Sequence, residues 1–148
     1  MVWQEQYKGI VDMMGICALT SMWMDQTLFT PEDIAGFFQD ITGKQTSAEK
    51  LFQTGEALQN LERSLNVLHT GFGRLDDMPP SKLMEIPVGK GIFKGERLHL
   101  DRWNKMLDEY YELHEWDKAT GLPTKQRLLA LGLGPVVEKL ARNNIVLP

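Results

Sequence analysis

"TSAEKLFQTGEALQNLERSLNVLHTG", residues 46–71, reads as one long helix. Thr46 and Glu49 make a capping box at its start, and Gly71 supplies the stop. Between them Leu51, Leu58, Leu61, Leu65 and Leu68 recur at threes, fours and sevens, the period of an apolar helical stripe. Gly55 lies inside the helix, where glycine costs about 1 kcal/mol relative to alanine. Its presence predicts the close approach of another backbone.

The remainder of the chain reads the same way. Val2, Tyr7, Ile10, Val11 and Met14 give residues 2–14 a helical spacing, and Gly15 then allows a sharp change of direction. Residues 17–26 read as a second short helix. "TPEDIAGFFQDITG" is well marked, with Thr30 as N-cap, Pro31 at N1, Asp33 at N3 and Gly43 past the end. Its apolar face is Ile34, Phe37, Phe38 and Ile41. Residues 71–99 are rich in Gly and Pro and read as a long irregular segment, of a kind that is functional or lies over something. "LDRWNKMLDEYYELHEWD" follows as a helix capped by Asp101, then "PTKQRLLALGLG" with Thr124 as N-cap, and "PVVEKLARNN" closes the chain. With no repeat and no heptad run, the fold class is all-α, an irregular multi-helix bundle in a single domain, 1–148.

Composition narrows the function. Sixteen basic against twenty acidic side chains leave a net charge of −4, which disfavours nucleic acid and anionic membrane as partners. No apolar run approaches the ~18 residues of a membrane span. There is no basic, then apolar, leader at the start. A single cysteine permits no internal disulfide and fits a reducing cytoplasm. Four Trp and eight Met imply a large adaptable apolar surface, either core or docking face.

The cysteine is in "VDMMGICALT", residues 11–20. By itself Cys17 reads as a small buried hydrophobe. Its neighbours point elsewhere. Asp12 interrupts an apolar run, and a buried carboxylate needs donors such as the paired N–H groups of a guanidinium or a pterin ring. Gly15 permits positive φ and close approach of a ligand. Cys17 would then open a helix, where the dipole favours a thiolate that acts as nucleophile or metal ligand.

"DMMGIC" resembles the D-x-x-G-L-C motif of the tungsten-containing aldehyde ferredoxin oxidoreductases. "TGEALQNLERSLNVLHTGFGRLDDMPP" is similar to that family's G-E-x-x-x-N-L-E-R-x-x-N stretch, its G-x-x-R-x-D-D and its Pro-containing loop. "LDRWNKMLDEYYELHEWDKATGLPTKQRLLALGL" resembles its L-D-x-M-L-D-E-Y-Y, W-D, G-x-P-T and L-G-L run. The order is preserved over roughly residues 8–133.

The resemblance implies the last, helical domain of a larger enzyme. Such an enzyme carries tungsten (or molybdenum) on two pterins beside a [4Fe–4S] cluster, and oxidises aldehydes to acids with electrons passing to ferredoxin. It implies that Asp12 bonds a pterin, that Gly15 and Ile16 are its backbone neighbours, and that Cys17 is the fourth cluster ligand. The family's other three cluster cysteines belong to an earlier C-x-x-C-x-x-x-C run, which this chain lacks. The chain is therefore expected to be a C-terminal fragment or a separate subunit, inactive and without cofactor by itself, whose partners are the N-terminal and middle domains. Asp12 follows the start so closely that truncation fits. Catalytic residues are not identifiable here, and relatives of this fold act on other acids and ring compounds.

The sequence departs from the family pattern at three places. Ile16 replaces Leu, Lys82 stands where Arg is usual, and His114–Glu115 replaces an Arg-Gly pair. Other candidates read as structural. His69 favours a helix C-terminus, while His99 and His114 read as surface, without zinc spacing. Asp76 and Asp77 read as a solvated turn rather than an acid–base pair. Arg63 and Asn66 are expected to pin the following loop. "GKGIFKG" lacks the ending of a phosphate loop. Trp23, Trp103 and Trp116 read as core or docking surface. The competing reading is a stand-alone helical interaction module without cofactor.

Overall fold

The computed structural model describes residues 1–148. Seven helices follow one another: α1 (Val2–Met13), α2 (Pro31–Thr42), α3 (Ala48–Thr70), α4 (Ser81–Glu85), α5 (Leu100–His114), α6 (Lys125–Ala130) and α7 (Gly134–Arg142). There is no strand, only the isolated bridges Ser21–Phe29 and Trp116–Pro123. No helix is long and apolar enough to cross a membrane. The fold is all-α.

Gly55 does what its position predicts. α1 crosses α3 so closely that a Cβ on Gly55 would lie 3.1 Å from the carbonyl carbon of Gln6 and 3.2 Å from its Cα. Gly9 on α1 faces the same crossing, with its own Cβ position 3.9 Å from the Gly55 Cα. The two backbones meet glycine to glycine. Beside the crossing Tyr7, Ile10 and Val11 of α1, Ile34 and Ala35 of α2 and Leu51 of α3 form the first core. Val67, Leu128 and Leu140 join α3, α6 and α7 in a second, and Leu107, Tyr111 and Trp116 make a third. Only 24 of 148 residues are buried, so these small cores leave much apolar side chain in water, Trp3, Met13, Trp23 and Met24 among it.

Several local expectations are corrected. The N-cap of α3 is Ser47, whose Oγ accepts from Lys50 N, so the cap falls one residue after Thr46. The leucines are only part of the inward face of α3: Leu51 is buried, Leu58, Leu61 and Leu68 are half-buried and Leu65 is exposed, whereas Glu56, Asn60, Arg63 and Ser64 are buried. That polar stripe is satisfied, which is why burial is tolerable. Trp116 Nε1 donates to Asn60 Oδ1 at 2.9 Å, Ser64 Oγ to Asn60 O at 2.7 Å, and Arg127 Nε to Glu56 Oε1 at 2.7 Å. On α2 the Thr30 cap, Pro31 at N1 and Gly43 stand as read, and Asp33 completes a capping box, but Phe37 and Ile41 face solvent while Ala35 is buried. Residues 17–26 form no α-helix, only a 3-10 turn at Ala18–Thr20. α5 begins after His99, without a side-chain cap, and Asp101 lies in its first turn. Thr124 caps α6 as expected.

Candidate functional site

The Asp12–Cys17 stretch is the C-terminal cap of α1. Gly15 has φ +69°, Gly15 N donates to Asp12 O at 3.1 Å, and Ile16 N to Val11 O at 3.0 Å. These paired bonds form a Schellman cap, which needs a left-handed residue at Gly15 and an apolar anchor just after it. Ile16 supplies the anchor by packing on the first core.

The cap turns the remaining residues outward. Asp12, Gly15 and Cys17 are all exposed, and nothing lies within 4 Å of a Cβ placed on Gly15. Asp12 is therefore no buried carboxylate. Its place on a helix in register with Lys8 makes an i,i+4 ion pair instead. Cys17 precedes a three-residue 3-10 turn, so it does not open an α-helix; its carbonyl accepts Thr20 N at 3.0 Å and Thr20 Oγ1 at 2.8 Å. Nor is Cys17 a buried hydrophobe.

Tyr7 holds the loop that follows. Its hydroxyl donates to Phe29 O and accepts from Met22 N at 3.2 Å, and burial pushes the phenol above its ordinary pKa. Asp12, Lys8, Trp23 and Gln59 line a groove of about 440 Å³ beside the corner. No group of three or more His, Cys, Asp or Glu side chains gathers to hold a metal ion. Chemically the corner offers one soft donor, Cys17, one anionic acceptor, Asp12, and a bare backbone turn between them.

Two other clusters are structural. Arg63 donates to Asp77 through Nη1 at 3.0 Å and Nη2 at 2.6 Å, and through Nε to Gly121 O at 2.9 Å. Tyr111 also donates to Asp77, and burial pushes the Tyr111 phenol well above its usual range. Asp77 is thus a half-buried staple rather than a solvated turn residue. Arg63 pins the loop as expected; the Asn66 side chain does not take part. Asp76 caps Gly73 N at 2.8 Å.

His114 is a further correction. It is completely buried, stacked on Trp116 at 4.6 Å and close to Tyr110 at 4.5 Å. Its Nε2 lies 3.4 Å from Glu5 Oε2 on α1, and neither ring nitrogen has a hydrogen-bond partner. The adjacent His114 ring, with the Tyr110 hydroxyl at 3.0 Å, holds the Glu5 carboxyl below its usual range against the opposing effect of burial. Glu115 takes φ 54°, ψ 39°, the left-handed region. A Gly would take this backbone without strain, since the position ends α5. Sequence reasoning missed His114 because the burying surface, Glu5 and Trp116, comes from outside its own helix.

Comparison with known proteins agrees with this architecture. Residues 1–133 match the family model described as aldehyde ferredoxin oxidoreductase, domains 2 and 3. The tungsten-containing aldehyde ferredoxin oxidoreductase of Pyrococcus abyssi is 30% identical over 126 residues, covering 84% of this chain and 19% of that protein. The Pyrococcus horikoshii protein of the same description is 29% identical over 126 residues, with the same coverage. Among solved structures, the active-site complex BamBC of benzoyl coenzyme A reductase in complex with 1,5-dienoyl-CoA superimposes with a TM-score of 0.77 at 26% identity, covering 98% of this chain and 20% of that one. The chain thus spans about a fifth of the length of these relatives. A match running through residues 1–133 places the chain in the aldehyde ferredoxin oxidoreductase family, within the part described as domains 2 and 3.

Proposed function

We propose that this chain closes one side of a tungsten- or molybdenum-pterin and iron–sulfur site in a larger oxidoreductase. In this reading Cys17 is one of four thiolate ligands of a [4Fe–4S] cluster, and Asp12 accepts N–H donors of a pterin. Gly15 and Ile16 form the backbone turn against which the pterin rests. The observation that carries the reading is the Schellman cap. It anchors Ile16 while presenting Asp12, Gly15 and Cys17 together on an open corner.

The residues fit the groups as a contribution, not as a complete site. An exposed thiol clear of the body suits a cluster held mainly by other polypeptide, since a cubane takes four protein ligands and this chain has one cysteine. A carboxylate paired only with a flexible lysine can exchange that partner for a bidentate donor. The bound metal and pterins would supply the redox chemistry; the protein orients them and tunes their potential. In this reading the enzyme oxidises an aldehyde to a carboxylic acid and passes electrons to ferredoxin in the cytoplasm, and the chain is inactive by itself.

The exposed Met13, Trp23 and Met24, with Trp3 at the other end of α1, are surface that the other domains would cover. The same surface would serve an interaction module without cofactor, and metal separates the two. Blotting a native extract with an antibody to this chain should reveal a band several times larger than 16.9 kDa, or a 16.9 kDa subunit that carries a partner, iron and tungsten or molybdenum with it. A 16.9 kDa protein free of all three would refute the proposal.

A further inference from the structure

Every residue from the end of α4 into the start of α5, 85 to 102, is exposed, the longest such stretch in the chain. Its backbone is nonetheless built. Val88 N donates to Glu96 O at 2.9 Å and Gly95 N to Val88 O at 2.8 Å, closing a narrow loop. Lys94 N donates to Gly91 O at 3.1 Å at the tip, where Gly91 and Gly95 take φ of 87° and 89°. Leu98 N donates to Leu83 O at 3.0 Å and ties the base to α4. This framework holds Ile92, 93% exposed, and Phe93, 64% exposed, out in water, with Lys90 and Lys94 on either side.

An ordered loop that presents adjacent large apolar side chains to water gives up roughly 25 cal/mol for each Å² left uncovered. Such a patch marks a contact site. We propose that residues 85–100 are a docking arm whose Ile92–Phe93 tip enters an apolar, acid-rimmed cleft on the rest of the oxidoreductase polypeptide. This rests on the reading that such a larger enzyme exists. Three observations select that occupant. The family match runs over residues 1–133, on both sides of the arm. The chain accounts for only 19% of its relatives' length, so most of the enzyme's surface lies elsewhere. Lys90 and Lys94 put positive charge on both sides of the Ile92–Phe93 tip, while Glu85, Glu96 and Arg97 lie towards the base of the arm, so an acidic rim complements the tip. The arm is distinct from the Asp12–Cys17 corner and names a second contact.

Limited proteolysis of the native enzyme tests this. Trypsin at Lys90 and Lys94 and chymotrypsin at Phe93 should cut the arm slowly. Ile92→Asp should raise arm cleavage at least about tenfold by shifting the arm to its open state. Lys90→Glu with Lys94→Glu should do the same at Phe93, whereas the Lys→Arg pair should keep protection. Rapid cleavage of the wild-type arm in an enzyme of full size overturns the arm while leaving the larger-enzyme reading intact. Protection that vanishes on dilution to single enzyme molecules also overturns it, because a second copy would then be the cover. A native polypeptide of 16.9 kDa without partners sinks the larger-enzyme reading itself, and the mass reveals this before protease is added.

Discussion

Replacing Gly55 by alanine should destabilise the protein although alanine is the better helix former. The helical gain from Gly→Ala is about 1 kcal/mol. Against it stands the added methyl, which would fall 3.1 Å from the Gln6 carbonyl carbon and 3.2 Å from the Gln6 Cα, and closer still to the carbonyl oxygen. These are backbone atoms of a packed helix, so no rotamer change relieves them. α1 and α3 must move apart by several tenths of an ångström, opening the core of Tyr7, Ile10, Val11 and Leu51. Overpacking costs about 1–3 kcal/mol, and a methyl driven into backbone that no rotamer can relieve belongs at the upper end, about 3 kcal/mol. The net loss is about 2 kcal/mol, a fall in Tm of about 4–8 °C for a chain of this size. Thermal unfolding followed by circular dichroism measures it, and amide exchange in α1 should accelerate more than in α7. An unchanged or raised Tm would refute the glycine-to-glycine crossing.

Other perturbations act on the Asp77 staple, the α5 cap and Glu5. Asp77→Ala strands the buried Arg63 and should cost about 3 kcal/mol, read by urea unfolding; a loss below about 1 kcal/mol would show that the staple is dispensable. Glu115→Gly removes left-handed strain of about 1 kcal/mol but gives up the exposed ion pair to Arg127 at 3.1 Å, so a small rise in Tm is expected and a fall would contradict it. The Glu5 carboxyl titrates lower when folded, so its stabilising contribution is full above the ordinary glutamate range and is lost as pH falls through the lower folded value. Glu5→Gln should therefore flatten the acid limb of the stability curve; an identical acid limb would mean that Glu5 is not coupled to folding.

The fold class was legible because its signals are local. Thr30, Pro31 and Gly43 bracket α2 within one short window, and Gly55 announced a backbone contact before the partner was known. What failed depended on distant residues. α3 turns Glu56, Asn60 and Arg63 inward because Arg127, Trp116 and Asp77 wait there, and no periodicity within α3 reveals those partners. The leucine stripe is a genuine apolar face, but it is left partly bare. At the candidate site, the motif was read correctly as a turn permitting positive φ at Gly15. Its physical basis, a Schellman cap, also reverses one inference: a polar residue in an apolar helical run lies outside when the helix is amphipathic, as Asp12 does.

In the proposed reading Cys17 ligates a cluster completed by other polypeptide. The most direct test is the low-temperature EPR spectrum of the reduced complete enzyme carrying Cys17→Ala, with iron content measured on the same sample. Loss of the [4Fe–4S] signal from the reduced sample, with or without a three-iron signal in the same sample once oxidised, is the predicted result. A [4Fe–4S] spectrum of wild-type shape and intensity at full iron content would contradict it.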